Sequence, residues 1–259
     1  MGFTRRRFPQ YDPASDGSLT MWFDPSDSSK VLAVGGGAIT NGATIGTVNT
    51  SGGTARAFTQ WGANTRPTWD STGINGLGAI RCNSQILTTT TVTGFASMSG
   101  LTILQVAKPS VSGGCVLGFS EIDNATGLAD ISLVQMIVNG SFQAGGRRTT
   151  SDAFAGVTGD SYGSSPFIEG AVFDYANAKL SIFQSGVKGL QQQAFQTAGT
   201  TGAGEPHYLS IGGFAQQSGS SAASLCNCWG GEVLVWATAM TADQLVAPFS
   251  YLRLKWKIA

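Results

Sequence analysis

Charged side chains are scarce in this chain, and neither sign of charge predominates. Its 259 residues include 15 Lys or Arg, 15 Asp or Glu and one His, so charged residues make up 12% and the formal net charge is zero. Soluble domains usually carry about 25% charged residues. A protein that holds nucleic acid by neutralising phosphates needs a basic surface, so this composition excludes nucleic acid as a partner.

Long hydrophobic runs are also missing. No apolar stretch approaches the ~18 residues needed to span a bilayer, which excludes a membrane-inserted helix. Three arginines lie among the first seven residues, but no apolar segment follows them, so we expect no export signal there. Hydrophobic residues nevertheless make up 42% of the chain and aromatic residues 10%. That is enough for a full core and argues against wholesale disorder.

Cysteine occurs only at Cys82, Cys115, Cys226 and Cys228. A structural zinc site needs a second closely spaced cysteine pair or histidines, so we predict no metal centre and no cofactor. Cys226 and Cys228 lie two apart in a strand-like stretch, where their side chains point the same way but lie too far apart to be joined easily. We expect four reduced, mostly buried thiols, with a Cys82–Cys115 bridge as an alternative.

Short β-rich runs separated by turn residues fill most of the chain. Their length and spacing are typical of a sandwich or barrel rather than of βαβ units. Asn-Gly pairs at Asn41, Asn75 and Asn139 supply residues that tolerate positive φ, and the pair at Asn139 predicts a two-residue hairpin. A second hairpin is predicted to join residues 167–174 to residues 179–185 across the turn at 175–177. The predicted strands cover residues 19–24, 31–34, 55–61, 77–82, 101–108, 115–119, 131–138, 142–148, 167–174, 179–185, 208–212 and 230–236.

One helix is predicted, close to the C-terminus. Thr241 and Gln244 form a capping-box pattern, and apolar residues follow at helical spacing from Leu245 to Leu252. Pro248 lies inside this run and is expected to kink or shorten the helix.

The chain is predicted to consist of an N-terminal arm, residues 1–18, and one all-β domain, residues 19–259, because no repeat or linker divides it further. One interpretation of the arm is a solvated, frayed tail. The other is an arm that docks on a neighbouring subunit, with two phenylalanines as apolar anchors around three arginines. The residues of this second interpretation are Phe3, Arg5, Arg6, Arg7 and Phe8.

Five parts of the sequence, in order, carry a recognisable pattern. They are LTMWFDPSD (19–27), RPTW with INGLGAIR (66–69 and 74–81), KLSIFQSG (179–186), HYLSIGG (207–213), and WGGEVLVW with YLRLKW (229–236 and 251–256). Together they resemble the concanavalin A-like, or laminin-G-like, lectin and glucanase domains common in phage virion proteins. The resemblance implies a two-sheet jelly-roll sandwich with one short C-terminal helix, whose concave face in relatives holds a glycan or a protein surface. Many members bind a structural calcium, but no carboxylate cluster here has convincing ligand spacing.

Glu121 and Asp123 resemble part of the Glu-Ile-Asp-x-x-Glu strand motif of laminarinase-type glycoside hydrolases with this fold. Alternating acids on a strand can place two carboxyls about 5 Å apart, as retaining hydrolysis requires. Thr126 stands where the third acid belongs, so the leaving group has no general acid. We therefore predict no catalytic residues and no enzyme activity, with a glycoside hydrolase as the less favoured alternative.

Flat aromatic rings can stack on pyranose faces, and four residues are candidates for such glycan platforms. Core packing is the alternative for Trp61 and Trp69, whereas Tyr162 and Tyr175 lie in turn-rich segments where exposure is expected. The remaining tryptophans, Trp22, Trp229, Trp236 and Trp256, are assigned to the core.

The sequence thus favours a non-enzymatic bacteriophage virion structural protein, a head decoration or tail-associated protein that docks on the particle through its arm. A lectin-like sandwich normally works outside cells, and phage proteins assembled in the host cytoplasm reach the outside by lysis. The expected partners are other virion proteins, in a homo-oligomeric assembly. The alternative is a tail-fibre module that binds a host-surface glycan or receptor.

Overall fold

The strands pair antiparallel into two large sheets in the computed structural model of the protein. The structure describes residues 11–60, 66–109, 115–120, 133–138, 141–149, 152–161, 163–184, 191–194, 197–203, 208–215, 222–223 and 225–259. Two short 3-10 turns, Pro13–Ser15 and Ser28–Lys30, lie near the beginning. Among the described residues, no helix combines the length and the apolar character needed to cross a membrane.

The described elements are twenty strands and one α-helix. In chain order they are β1 (Met21–Phe23), β2 (Val31–Ala33), β3 (Ile45–Asn49), β4 (Gly52–Gly53), β5 (Ala57–Gln60), β6 (Thr68–Ile74), β7 (Leu77–Asn83), β8 (Leu87–Thr89), β9 (Leu101–Pro109), β10 (Cys115–Ser120), β11 (Leu133–Val138), β12 (Ser141–Arg147), β13 (Ala155–Ser161), β14 (Phe167–Asp174), β15 (Lys179–Gln184), β16 (Gln191–Ala194), β17 (Tyr208–Ile211), β18 (Phe214–Ala215), β19 (Ala222–Ala223), β20 (Asn227–Trp236) and α1 (Ala242–Trp256).

The two sheets stack face to face, as the predicted all-β jelly-roll sandwich requires. The first has the order β16-β15-β14-β9-β20-β1-β4, with β7 also pairing with β20 and β6 with β7. The second has the order β13-β12-β11-β10-β17-β8-β5-β3-β2. Strands β9, β14 and β20 are buried along almost their whole length, because the second sheet covers one face of the first and α1 covers the other.

Alternate residues of the first sheet therefore enter two different apolar clusters. Ile103 and Phe173 point into the cluster between the sheets, whereas their neighbours Leu104 and Val172 join the cluster under α1. This placement follows from the two-residue period of a strand. Because both faces of β9 are covered, residues 101–108 carry apolar side chains on both faces of the strand.

Tight turns form where the sequence predicts them. Asn75 and Gly76 connect β6 to β7 with φ values of 49° and 86°, the paired positive values of a two-residue hairpin turn. Strands β14 and β15 form the second predicted hairpin, with Asp174 opposite Lys179. The turn at Asn139 lies outside the described residues, and its flanking strands β11 and β12 are paired.

Helix α1 begins at the predicted capping box. The Thr241 hydroxyl accepts from the Gln244 backbone N–H at 3.4 Å, and the Gln244 side chain accepts from the Thr241 N–H at 2.8 Å. Pro248 is expected from the sequence to kink or shorten the helix; α1 continues through it to Trp256, so the proline does not end the helix. The proline ring is buried on the face of α1 that packs against the first sheet, together with Leu252, and this packing offsets the backbone hydrogen bond that proline cannot make.

Tyr11 and Asp16, which lie within the predicted arm, contact the sandwich. The Tyr11 ring contacts Trp236 and Tyr251 at centroid distances of 6.5 and 5.8 Å. Asp16 accepts hydrogen bonds from the Trp236 indole at 3.0 Å and from the Tyr11 hydroxyl at 2.8 Å. Residues 1–10, which contain all the anchoring-arm candidates, lie outside the described part of the chain.

Glu232 of β20 is fully buried beneath α1 and accepts hydrogen bonds from three rings. The donors are the Trp22 indole at 2.7 Å, the Tyr251 hydroxyl at 2.9 Å and the Trp256 indole at 2.9 Å. Trp256 is fully buried as predicted, but Trp22 is only half-buried, since its ring lies at the margin of the cluster under α1.

One cation balances two buried carboxylates at the same place. The Lys255 ammonium lies 2.8 Å from Glu232 and 2.6 Å from Asp24. Burial and the charge of Asp24 raise the pKa of Glu232, while Lys255 opposes that rise. The first and last of the recognisable sequence segments therefore meet in one polar network that ties α1 to β1 and β20.

Three thiols meet in the core between the sheets. Cys82 and Cys228 are direct partners across β7 and β20, and the Cys226 sulfur lies 2.6 Å from that of Cys228. The prediction that Cys226 and Cys228 lie too far apart is thus wrong, because Cys226 precedes β20 and is not bound by the spacing of a regular strand. All three are free and buried; the side chain of Cys115 is outside the described part.

Candidate functional site

The aromatic candidates that the structure describes are not exposed platforms. Trp69 is buried and its indole donates to the Pro25 carbonyl at 2.9 Å, which matches the core alternative. The expected exposure of Tyr175 is wrong: its ring is fully buried and stacks on Phe173 at 6.0 Å, while Ala176 and Asn177 form the exposed tip of the turn. Trp61 and Tyr162 lie outside the described residues, as do Phe3, Arg5, Arg6, Arg7 and Phe8.

The most buried carboxyls of the described chain are not placed for hydrolysis. Glu169 of β14 lies between the sheets, where it accepts a hydrogen bond from the Gln105 amide, and burial raises its pKa well above the ordinary range. Glu232 is closed in by indoles and Lys255, so neither carboxyl can reach a saccharide from solvent. Glu121 and Asp123 lie outside the described residues.

A row of three side chains, which we call the cation–indole row, crosses the outer face of the first sheet. Trp229 of β20 is flanked in register by Arg81 of β7 and Lys108 of β9. The Arg81 guanidinium carbon lies 5.2 Å from the indole centroid, and the Lys108 nitrogen lies 4.8 Å from it. Both distances fall within the range of cation–π attraction, so the indole holds two positive charges in fixed positions.

Asp70 of β6 anchors the edge of the indole. Its carboxylate accepts from the Trp229 N–H at 3.0 Å and from the Thr72 backbone N–H at 3.1 Å. Burial raises the pKa of Asp70, but these hydrogen bonds and the charge of Arg81 outweigh burial and hold that pKa below its ordinary value. The row and Asp70 thus carry two positive charges and one negative charge at neutral pH, an excess of one positive charge.

Arg81 also lines a small polar cleft beside the row. The cleft has a volume of about 150 Å³ and is lined by Asn41, Gly42, Thr68, Trp69, Asp70 and Arg81. The Asn41 side-chain oxygen accepts from the Ser71 backbone at 2.9 Å, which fixes the amide at the mouth of the cleft. A guanidinium, a carboxylate, an amide and a hydroxyl thus converge on a space suited to one polar ligand group.

A larger groove of about 640 Å³ runs between α1 and the hairpin of β14 and β15. Its walls are mostly apolar, and Phe183 meets Phe249 edge to face at 6.4 Å. Such walls offer a saccharide few hydrogen-bond partners. The polar cleft beside Arg81 is therefore the better candidate for a glycan.

Sequence reasoning missed the cation–indole row. It assigned Trp229 to the core, whereas the ring is only half-buried. A signal for Arg81 exists, because it lies between the buried Ile80 and Cys82 and must therefore face away from them. Nothing local shows that Arg81, Trp229 and Lys108 align, since that depends on the pairing of strands far apart in sequence.

Comparisons with known proteins show the fold. No family model matches the chain, and no curated protein matches its sequence. Among solved structures, the botulinum neurotoxin serotype C1 binding domain superposes with a TM-score of 0.52 and 8% identity, over 91% of this chain and 52% of that one. A sialidase of Streptococcus pneumoniae gives a TM-score of 0.51 and 10% identity, over 64% of this chain and 26% of that one.

A carbohydrate-binding module is also similar. The CBM40 module of a Ruminococcus gnavus sialidase, solved with α2,3-sialyllactose, gives a TM-score of 0.48 and 14% identity, over 59% of this chain and 84% of that one. The chain spans about half of the matched toxin domain and about a quarter of the matched pneumococcal sialidase. The protein has the fold of an all-β, two-sheet jelly-roll sandwich.

Proposed function

We propose that the protein is a non-enzymatic, lectin-like binding module that recognises an anionic glycan at the cleft beside Arg81. The observation that carries this proposal is the cation–indole row, whose Arg81 packs on the Trp229 indole and lines a polar cleft. A site that is already ordered loses little side-chain entropy when a ligand binds.

The chemistry of the cleft supports a sugar that carries an acidic group. The Arg81 guanidinium can bind a carboxylate or sulfate with two parallel hydrogen bonds. Asn41 and Thr68 offer partners for neighbouring hydroxyls, and Asp70 can accept from one of them.

Titration calorimetry with a matched pair of probes tests this proposal: an acidic trisaccharide, sialyllactose, and its uncharged parent, lactose. We expect sialyllactose to bind more tightly than lactose, and more weakly as salt is added. Arg81→Ala should weaken sialyllactose binding by roughly tenfold or more, since a hydrogen bond to a charged group contributes about 1.5–3 kcal/mol. Lys179→Ala, at an exposed lysine away from the cleft, is the control. Equal binding of both probes, or wild-type affinity in Arg81→Ala, would overturn the proposal.

We also propose that this module belongs to a bacteriophage virion, as a head decoration or tail-associated protein assembled in the host cytoplasm and repeated in a homo-oligomeric array. The support is the resemblance to domains of phage virion proteins and the composition of residues 1–10, with Phe3 and Phe8 around three arginines. Because Tyr11 and Asp16 contact the sandwich, the proposed docking segment is limited to residues 1–10.

Two measurements test the virion assignment separately from glycan binding. Peptide mass spectrometry of density-purified particles from the source lysate should detect the chain, at high copy for a decoration role and low copy for a tail role. A chain lacking residues 1–10 should stay folded and fail to join the particle. Absence of the full chain from particles, or full incorporation of the shortened chain, would contradict the assignment and leave the glycan proposal standing.

A further inference from the structure

The three thiols between the sheets form a built cluster. Cys82, Cys226 and Cys228 are 2%, 0% and 1% exposed. Gly212 makes room for them: its φ is +88°, and a Cβ atom there would lie 2.6 Å from the Cys82 sulfur. A side chain at this position would therefore displace the thiol.

Backbone hydrogen bonds fix Cys226 within the cluster from both sides. Its N–H donates to the Gly212 carbonyl at 2.9 Å, and its carbonyl accepts from the Ser84 N–H at 3.0 Å. Cys228 is held by the pairing of β20 with both β7 and β9. Because the backbone is fixed at both residues, the proximity of the two sulfurs follows from the fold.

Metal binding does not explain the cluster. Within the described part of the chain, no group of three or more His, Cys, Asp or Glu is arranged to hold a metal ion. Hydrogen bonds from Cys226 and Cys228 lower the pKa of Cys82 well below its ordinary value, despite burial. Cys82 therefore shares the cluster with both of the other sulfurs.

We infer that this cluster is a redox site in which Cys226 and Cys228 form a disulfide while Cys82 stays a thiol. The choice of pair follows from the 2.6 Å contact between their sulfurs. No glycan or virion role is required for it, so the inference stands apart from the proposed function.

Glutathione disulfide is a sufficient oxidant for this step. During folding, before the pair is buried, one of its two thiols loses its proton, and the thiolate attacks glutathione disulfide, forming a mixed disulfide and releasing one glutathione thiolate. The second cysteine then loses its proton and attacks the mixed disulfide, which closes the Cys226–Cys228 bond and releases the other glutathione thiolate. The two cysteines lose two protons and two electrons, and the glutathione disulfide is reduced to two glutathione thiols. Because the thiols are buried, we expect closure during folding and protection from reductants afterwards.

Peptide mapping of the full chain tests the pairing directly. The chain is refolded with glutathione disulfide, alkylated with N-ethylmaleimide under denaturing conditions and digested with trypsin. No Lys or Arg lies between Lys188 and Arg253, so Cys226 and Cys228 share one peptide, whereas Cys82 begins another after Arg81. We expect the shared peptide to lose the mass of two hydrogen atoms and to carry no alkyl group, with Cys82 alkylated.

Two variants serve as controls for the mapping. Cys82→Ser should keep the mass loss, and Cys228→Ser should abolish it without linking Cys226 to Cys82. Alkylation of both Cys226 and Cys228 in the oxidised wild type would overturn the inference. A cross-link between the two tryptic peptides would overturn it as well, since Cys82 would then be a bridging partner.

Discussion

Replacing Lys255 with methionine should destabilise the protein severely, because it leaves two buried carboxyls without their shared cation. The ammonium lies 2.6 Å from Asp24 and 2.8 Å from Glu232, and these two residues are only 5% and 0% exposed. Methionine retains an apolar stem of similar length, so lost packing contributes little. Removing one partner of a buried ion pair costs about 3–5 kcal/mol. That is a large part of the ~5–15 kcal/mol that separates folded from unfolded states in most domains.

The loss of stability caused by Lys255→Met should become smaller as the pH falls. Burial and Asp24 raise the pKa of Glu232 in the native protein, and without Lys255 that pKa rises further. An acid with a raised pKa in the folded state stabilises the fold fully below its unfolded pKa, and this contribution is lost as the pH rises through the folded pKa. Acidification from about pH 7 towards about pH 5 should therefore restore stability to the variant more than to the wild type.

Urea unfolding followed by tryptophan fluorescence measures both effects, since the free energy of unfolding extrapolates linearly to zero denaturant. Lys179→Met changes the same residue type at an exposed position of β15 and should alter stability by less than about 0.5 kcal/mol. If Lys255→Met lost as little stability at neutral pH as Lys179→Met does, the contacts of Lys255 with Asp24 and Glu232 would not stabilise the fold. A large loss that did not depend on pH would refute the role assigned to Glu232.

Two further perturbations test other parts of the fold. Thr241→Ala removes the acceptor for the Gln244 N–H at the start of α1 and should lower the free energy of unfolding by about 1 kcal/mol in denaturant titrations, whereas Thr241→Ser should retain most of it. Burial raises the pKa of Glu169, so the wild type should lose stability as the pH rises through that pKa while Glu169→Gln should not. Between about pH 5 and about pH 9, the melting temperature of the wild type should therefore fall relative to that of Glu169→Gln. A difference between the two melting temperatures that stays constant with pH would contradict a buried, neutral Glu169.

Local patterns were sufficient for much of the fold. The β14–β15 hairpin and the start of α1 lie where the sequence predicts them, because alternation, turn residues and a capping box act over a few neighbouring positions. Strands β6 and β13 were not predicted, since their polar and glycine-rich sequences lack apolar alternation. They form strands because β6 pairs with β7 and β13 pairs with β12. Such pairing is a tertiary effect that a local sequence pattern does not show.

The candidate site was less accessible to sequence reasoning than the fold. Aromatic residues can be counted in a sequence, but whether a ring faces water depends on the covering sheet. Tyr175 follows a strand end and still folds inward, whereas Trp229 in the middle of the sheet keeps part of its ring at the surface. The alignment of Arg81 and Lys108 with that ring depends on two strand pairings between residues more than a hundred positions apart.

The residues by which the fold can be recognised have a structural role of their own. Asp24, Glu232 and Lys255 belong to the first and last recognisable segments, and they bind one another beneath α1, away from solvent. A buried carboxylate with fixed donors tolerates few replacements, because each lost partner leaves an unpaired charge. Such a pattern identifies the jelly roll and carries no information about its ligand. Under the proposed function, specificity resides in exposed groups such as Arg81, and variants at these positions should change binding without changing the fold.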